Sequence, residues 1–214
     1  MLNSYEGCMD EETRYTFTVE VYTDGLLITG SYDLSFYRRV SDAINSRIRR
    51  FLTLNDATIA PLARPQQVQR VPQLLVDWSS AMLVAVVDEP PPPEGYLAPA
   101  PLRDTQPVMF FTHALALRAN FSKRPDMDLG TILDEMTDDF VSLSGVQIFP
   151  LIGGAPVSRD FACLNRAHIS ALYAVGAPTP PPAPEPPPAA ELAEATPGAG
   201  TIEALPLDES PDAS

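Results

Sequence analysis

Val19–Leu62 reads VEVYTDGLLITGSYDLSFYRRVSDAINSRIRRFLTLNDATIAPL, and the same pattern of apolar residues returns 89 positions later at Val108–Leu151. The two stretches align without a gap, and 17 of the 21 apolar positions in the first stay apolar in the second. Eight pairs are identical: Val19/Val108, Thr23/Thr112, Leu26/Leu115, Phe51/Phe140, Leu54/Leu143, Ile59/Ile148, Pro61/Pro150 and Leu62/Leu151. This uninterrupted register predicts two copies of one folding unit.

Each unit is predicted to begin with a β-hairpin. In the first unit, Thr16–Tyr22 alternates apolar and polar residues, Asp24-Gly25 follows, and Leu26–Tyr32 resumes the apolar pattern. An Asp-Gly pair between two strands is typical of a type I′ turn, which needs positive φ at both central residues. The second unit has His113-Ala114 at this position, which favours a looser or differently registered hairpin.

A helix of about three turns is predicted after each hairpin, because apolar residues recur there at helical spacing. These residues are Val40, Ile44, Ile48 and Phe51 in the first unit, and Leu129, Ile132, Leu133, Met136 and Phe140 in the second. Asn55-Asp56 and Ser144-Gly145 then predict matching turns before a short strand. Two further strands are predicted in each of the segments 74–87 and 161–175, which align at an offset of 87.

The predicted fold is therefore α+β and mainly β, with two tandem units of element order β-β-α-β-β-β. Each unit is expected to be a small, curved five-stranded sheet or barrel with one helix. Proline-rich and polar segments separate the parts, because they have too little apolar surface to offset the entropy of ordering. The predicted parts are a flexible leader (1–13), the first unit (14–88), a Pro-rich linker (89–106), the second unit (107–176) and a disordered acidic Pro-rich tail (177–214).

The runs VEVYTDGLLITGSYDL (19–34) and RVSDAINSRIRRFLTLNDATIAPL (39–62) resemble an uncharacterised family of small bacterial β-barrel-like domains. Members have an edge hairpin, a short helix with an Arg-Phe-Leu-x-Leu step, and later strands. The resemblance covers Tyr15–Leu62 and, in the second unit, mostly Phe140–Leu151. The second unit lacks the Asp-Gly turn and the pair Arg49-Arg50. The resemblance implies the fold, and it implies no activity or catalytic residue.

Net charge argues against several kinds of partner. The chain carries a formal charge of −14, and an acidic chain is a poor general binder of nucleic acid or of anionic membranes. Cys8 and Cys163 form neither a disulfide framework nor a metal-binding spacing. The longest apolar run, Ala81–Val87, is too short to span a bilayer. We therefore expect a cytoplasmic protein that does not associate with membranes.

The two predicted helices differ in charge. The basic patch is Arg38, Arg39, Arg47, Arg49 and Arg50, and the acidic patch is Asp128, Asp134, Glu135, Asp138 and Asp139. Opposite potentials favour contact between these patches, either within the chain or head to tail between chains. The alternative is two solvated surfaces, in which each exposed pair contributes about 0–1 kcal/mol.

The basic patch also allows a second kind of partner. Its arginines could hold nucleic acid or a small ligand, with Tyr32, Phe36 and Tyr37 available for stacking. The acidic total and the single lysine, Lys123, weigh against nucleic acid.

No catalytic constellation is recognisable, so we expect a protein that is not an enzyme and needs no cofactor. His113 is interpreted as a turn residue and His168 as a strand residue, neither in a metal-spaced cluster. Cys163 and His168 could pair as nucleophile and base, but no third residue would orient them. Trp78 is interpreted as a packing or turn residue. The sequence thus favours a protein-binding or scaffolding role, with self-association one form of it.

Overall fold

The computed structural model describes residues 14–46, 50–97, 104–123 and 127–176. Strands β1 to β5 are Tyr15–Tyr22, Leu26–Leu34, Phe51–Pro61, Gln69–Asp77 and Leu83–Asp88. Strands β6 to β10 are Thr105–Phe111, Leu115–Ser122, Phe140–Pro150, Val157–Asn165 and Ala171–Ala174. The α-helices are α1, Val40–Asn45, and α2, Leu129–Glu135, and two 3-10 turns are Trp78–Ser80 and Arg166–His168. The predicted leader and tail lie outside the described residues, and β6 begins inside the predicted linker.

The ten strands form one antiparallel sheet in the order β10-β6-β7-β8-β9-β5-β1-β2-β3-β4. We call β1–β5 the first half and β6–β10 the second half. Within each half the fifth strand lies beside the first, and the first to fourth strands follow in chain order. The halves join where β5 pairs with β9, so β4 and β10 are the two edges of an open sheet. The prediction of a mainly β fold is confirmed, but the structure has one open sheet in place of two separate five-stranded sheets or barrels.

The two hairpins have the same register. Tyr22 faces Leu27 in the first half, and Phe111 faces Ala116 in the second. The expectation of a looser second hairpin is therefore wrong. No residue in either turn has positive φ, so the type I′ prediction is wrong as well, and a His-Ala pair is tolerated where Asp-Gly stands in the first half.

A threonine side chain closes each hairpin turn. Thr23 Oγ1 accepts a hydrogen bond from the Leu26 N–H at 3.1 Å, and Thr112 Oγ1 accepts one from the Leu115 N–H at 2.9 Å. Such local side-chain bonds replace the backbone geometry that a glycine turn would supply. The turn is therefore specified by the threonine that both halves share.

Both helices are shorter than predicted. Each ends well before its phenylalanine, Phe51 or Phe140, and these residues instead begin the strands β3 and β8. The predicted turns at Asn55-Asp56 and Ser144-Gly145 lie inside those strands, where the pairing register shifts. Positive φ at Asp56 (48°) and Gly145 (57°) marks the irregular position in each strand. These irregularities have the character of β-bulges, which increase the local bend of a sheet.

The later strands correspond at an offset of 88, and the predicted offset of 87 is wrong by one residue. Phe51 faces Asp77 across β3 and β4, and Phe140 faces Asn165 across β8 and β9. Asp77 and Asn165 both precede a 3-10 turn, and each accepts a backbone N–H of that turn.

The interior contains two apolar clusters, and each draws residues from both halves. The cluster inside the second half includes Tyr22, Met82 and Leu83 of the first half. The cluster inside the first half includes Phe140 and Cys163 of the second. Each half therefore contributes side chains to the core of the other, and the halves are not separate domains joined by a linker. In the described part of the chain, no helix has the length and apolar character needed to cross a membrane.

Candidate interaction surfaces

The junction between the halves is a short strand pair, and three of its four residue pairs are buried. Its paired residues are Leu83 with Leu164, Val84 with Cys163, Ala85 with Ala162, and Val86 with Phe161. The first three pairs are at most 1% exposed. Burying continuous apolar surface on both sides of a strand pair is the main stabilising contribution available to such a contact.

An ion pair crosses the junction above this apolar layer. Arg159 on β9 reaches over β5 to Glu20 on β1, with Nη2–Oε1 at 2.6 Å and Nε–Oε2 at 3.1 Å. The side chains are only 24% and 12% exposed, and the Tyr22 hydroxyl donates to Glu20 Oε2 at 3.0 Å. Burial, and then the Glu20 carboxylate, raise the pKa of Tyr22 above its usual range, so the phenol stays a donor. The hydrogen bonds that Arg159 donates to Glu20 raise the pKa of Arg159.

Two asparagines fasten the backbone of one half to the other. Asn165 Nδ2 donates to the Ala81 carbonyl at 3.0 Å, and the Asn165 N–H donates to the Met82 carbonyl at 2.8 Å. Asn45, at the end of α1, exchanges two hydrogen bonds with the backbone of Phe140. The amide is suited to both places because it donates and accepts at once.

The edges β4 and β10 carry exposed apolar side chains. Leu75 on β4 is 59% exposed, Tyr173 on β10 is 55% exposed, and Phe51 beside β4 is 41% exposed. The corresponding residues of the other half are Cys163, Ala85 and Phe140, and all three are buried at the β5–β9 junction. These corresponding positions are covered at the junction by the neighbouring half, whereas at the two ends of the sheet they are exposed.

One arginine of the basic patch, Arg50, contacts edge β4. Arg50 donates from Nε and Nη2 to Asp77 Oδ2 at 3.1 and 3.0 Å, and the Arg38 guanidinium lies 5.0 Å from the Phe36 ring centre. Hydrogen bonds from Ser79, and then from Arg50, hold the pKa of Asp77 below its usual value. Arg39 is the residue before α1, whereas Arg47 and Arg49 lie outside the described residues.

The acidic patch surrounds α2. Asp128 caps the helix by accepting the N–H groups of Gly130 and Thr131 at 2.9 and 3.1 Å. The Thr131 hydrogen bonds are the main cause that lowers the pKa of Asp128. Two members lie at the end of α2, and two lie between α2 and β8: Asp134, Glu135, Asp138 and Asp139. Contact between the two patches stays a prediction.

A cleft of about 470 Å³ opens beside the basic patch. Its lining includes Tyr32, Phe36, Arg38, Phe51 and Trp78. The Arg38 Nε is buried and has no hydrogen-bond partner among the described residues. Two of the three aromatic residues expected near the arginines therefore line a cleft.

The third aromatic residue, Tyr37, is committed to packing. Its ring contacts Tyr15 and Tyr96 edge to face, and its hydroxyl donates to Glu89. Desolvation, with Glu89 adding to it, raises the pKa of Tyr37 to about 12. Trp78 packs edge to face on Phe140 at 5.7 Å, which confirms its packing role although it also borders the cleft.

Cys163 is excluded as a nucleophile. It is completely buried in β9, and burial raises the pKa of its thiol to about 12, so the reactive thiolate is suppressed. His168 lies in the second 3-10 turn and not in a strand, which corrects its predicted place. His113 lies in the β6–β7 turn as predicted, and the fold brings the two imidazole rings to a centroid distance of 6.0 Å.

Comparison of the chain with protein-family models, with curated proteins and with solved structures found no match.

Proposed function

We propose that the chain is a non-catalytic scaffolding protein, built from two copies of one five-stranded unit, that joins copies of itself head to tail through β4 and β10. The equal strand order of the halves supports the duplication. So do the positive-φ residues Asp56 and Gly145, which lie 89 positions apart. The 3-10 turns, which lie 88 apart, add to this.

One observation carries the proposed assembly. The β5–β9 junction joins the fifth strand of one half to the fourth strand of the other, and β10 and β4 are the same two kinds of strand. Among the described residues, neither edge has a second partner strand. An unpaired edge is a template for pairing with another chain. Because the two edges differ, the contact is heterologous and gives rings or open chains.

The register of the outer contact follows from the junction by the offset of 88. The predicted pairs between β10 of one chain and β4 of the next are Ala171 with Val76, Leu172 with Leu75, Tyr173 with Leu74, and Ala174 with Gln73. These strand residues are mostly apolar, as the junction residues are. In this outer contact, Met109 and Val71 occupy the positions that correspond to Glu20 and Arg159. The ion pair of the junction is thus replaced by an apolar pair.

The same offset brings the charged patches together. Asn45 corresponds to Asp134, and Phe140 corresponds to Phe51, so α2 of one chain meets the start of β3 in the next. Phe51 directly follows Arg50 in the basic patch. The acidic helix end therefore approaches an arginine, which is the head-to-tail form of the charge hypothesis. Such complementarity sets register and discourages contact between like edges.

The test uses two edge variants and their mixture. Leu75→Lys disables β4 and Tyr173→Lys disables β10, so each variant alone is expected to be monomeric by light scattering and native mass spectrometry. Mixed in equal amounts, they are expected to form a one-to-one dimer that does not grow, because one intact edge of each kind remains. Ile152→Lys, at an exposed apolar residue away from the strands, is the matched control and should assemble normally.

Two results would reject the proposed assembly. The first is a monomeric wild-type chain across the micromolar to millimolar range. The second is failure of the mixed variants to form the dimer although each is folded and the wild type assembles.

A small anionic ligand in the cleft is the second candidate function, and the unpaired Arg38 Nε favours it. The cleft volume lies within the range of about 300–1,000 Å³ that is usual for small-molecule sites. A thermal-shift screen of small carboxylates and phosphates, with short single-stranded RNA as a further arm, tests it. Stabilisation by a small anion that disappears in Arg38→Met would support the site, and no shift with any compound would reject it.

A further inference from the structure

Asp24, His113 and His168 come together from three separate turns. Asp24 lies in the β1–β2 turn, His113 in the β6–β7 turn, and His168 at the end of the second 3-10 turn. One donor atom of each residue lies within 4.8 Å of the other two. His113 and His168 are the only histidines of the chain, and they are 55 positions apart in the sequence.

We propose that these three residues bind a divalent transition-metal ion, with Zn²⁺ the best match. Two imidazole nitrogens and one carboxylate oxygen suit zinc, whereas Ca²⁺ and Mg²⁺ prefer sets of oxygen ligands. Adjacent ligands of tetrahedral zinc lie about 3.3 Å apart, given bonds of about 2.0–2.1 Å. His113 Nε2 and Asp24 Oδ1 are 2.8 Å apart, so a small opening of this contact admits the ion.

The orientation of His168 also suits a ligand. Its Nε2 lies 2.9 Å from the Ser79 carbonyl oxygen, which can only accept, so Nε2 carries the proton. The lone pair is then on Nδ1, which leaves this nitrogen able to bind a metal. Metal-bound histidines usually donate their second N–H to a carbonyl or carboxylate in this way.

The turns that carry the ligands are held by their own hydrogen bonds. Thr23 and Thr112 close the two hairpin turns, and the Ser170 N–H after the 3-10 turn donates to the Phe111 carbonyl at 2.8 Å. Three protein ligands leave one tetrahedral position for water. Because Asp24 belongs to the first half and both histidines to the second, the ion would cross-link the halves. The site does not depend on the proposed assembly.

The experiment titrates Co²⁺, a spectroscopic substitute for zinc, into the full metal-free chain and then displaces it with Zn²⁺. We expect one equivalent to bind with the visible absorption of tetrahedral cobalt, and zinc to raise the thermal unfolding temperature. His113→Ala and His168→Ala should each weaken binding by more than about 100-fold, since loss of a ligand exceeds the effect of losing its supporting bond. Both side chains are at least partly exposed, so these variants should fold.

Cys8→Ser is the matched control. It removes the only thiol of the chain besides that of Cys163, and Cys163 is buried. This variant should bind cobalt as the wild type does. Three outcomes would overturn the proposal: no binding at micromolar metal, binding that survives loss of either histidine, or binding that disappears in Cys8→Ser.

Discussion

Removing the arginine of the buried ion pair should destabilise the chain. Arg159→Val leaves Glu20 as a carboxylate that is 12% exposed, with the Tyr22 hydroxyl as its remaining side-chain partner. Two charge-assisted hydrogen bonds are lost, each of which contributes about 1.5–3 kcal/mol to stability. Water can reach part of the site, so the expected loss lies below their sum, at about 2–3 kcal/mol.

Replacing both charges should restore most of this loss. The double variant Glu20→Met with Arg159→Val installs the residue types that Met109 and Val71 supply at the corresponding positions of the other half. No unpaired charge is then buried, and replacing a buried ion pair by apolar residues is often close to neutral. We therefore expect the double variant within about 1 kcal/mol of the wild type, and a coupling energy of about 2 kcal/mol between the two positions.

Urea unfolding followed by circular dichroism measures all four members of this cycle. Arg50→Val is the control, because its ion pair with Asp77 is exposed and its removal should barely move the urea midpoint. The reasoning is refuted if the effects of the two single substitutions add to within about 0.5 kcal/mol, since independent sites behave in that way. It is also refuted if Arg159→Val is as stable as the wild type.

Burial raises the pKa of Cys163 to about 12 from 9.0, so the stability present below pH 9 should fall as the pH rises toward 12. Urea unfolding of Cys163→Ala should show a shallower alkaline decline. Gly145→Val should cost about 1–2 kcal/mol in the same assay, because φ is +57° there, and Gly145→Asp should cost less, as Asp56 holds the same conformation. Asp77→Asn should tighten self-association measured by sedimentation, because Asn165 donates to the neighbouring half and an aspartate cannot.

The strand pattern of the fold could be predicted because it is local. The alternation through Phe17, Val19 and Val21 marks one buried face of β1, and all three are fully buried. Helix length could not be predicted, because Phe51 and Phe140 fit the helical spacing and also begin a strand. Phe51 and Phe140 become strand residues because β3 and β8 each pair with a strand on both sides. That pairing depends on residues far away in the sequence.

The contacts between the halves could not be predicted from the sequence either, because they join residues that are far apart in the chain. Glu20 and Arg159 are 139 positions apart, and only the β5–β9 pairing brings them together. The alternation in β1 gave no signal for this ion pair, because Glu20 lies on the opposite face of the strand from Val19 and Val21, where a polar residue is ordinary. Asp24 and His113 occupy corresponding turns, but correspondence in a repeat does not predict that two residues touch.

The linker decides in which order the two kinds of contact form. A short tether gives the halves an effective concentration on the order of millimolar, so the β5–β9 junction forms within the chain first. The outer contact has no tether, and it must form at the concentration of the chain itself. It also lacks the ion pair, for which Met109 and Val71 stand, and both asparagines, for which Asp134 and Asp77 stand. Assembly through β4 and β10 should therefore be reversible on dilution while the junction persists, and the unit that is added or lost is the whole chain.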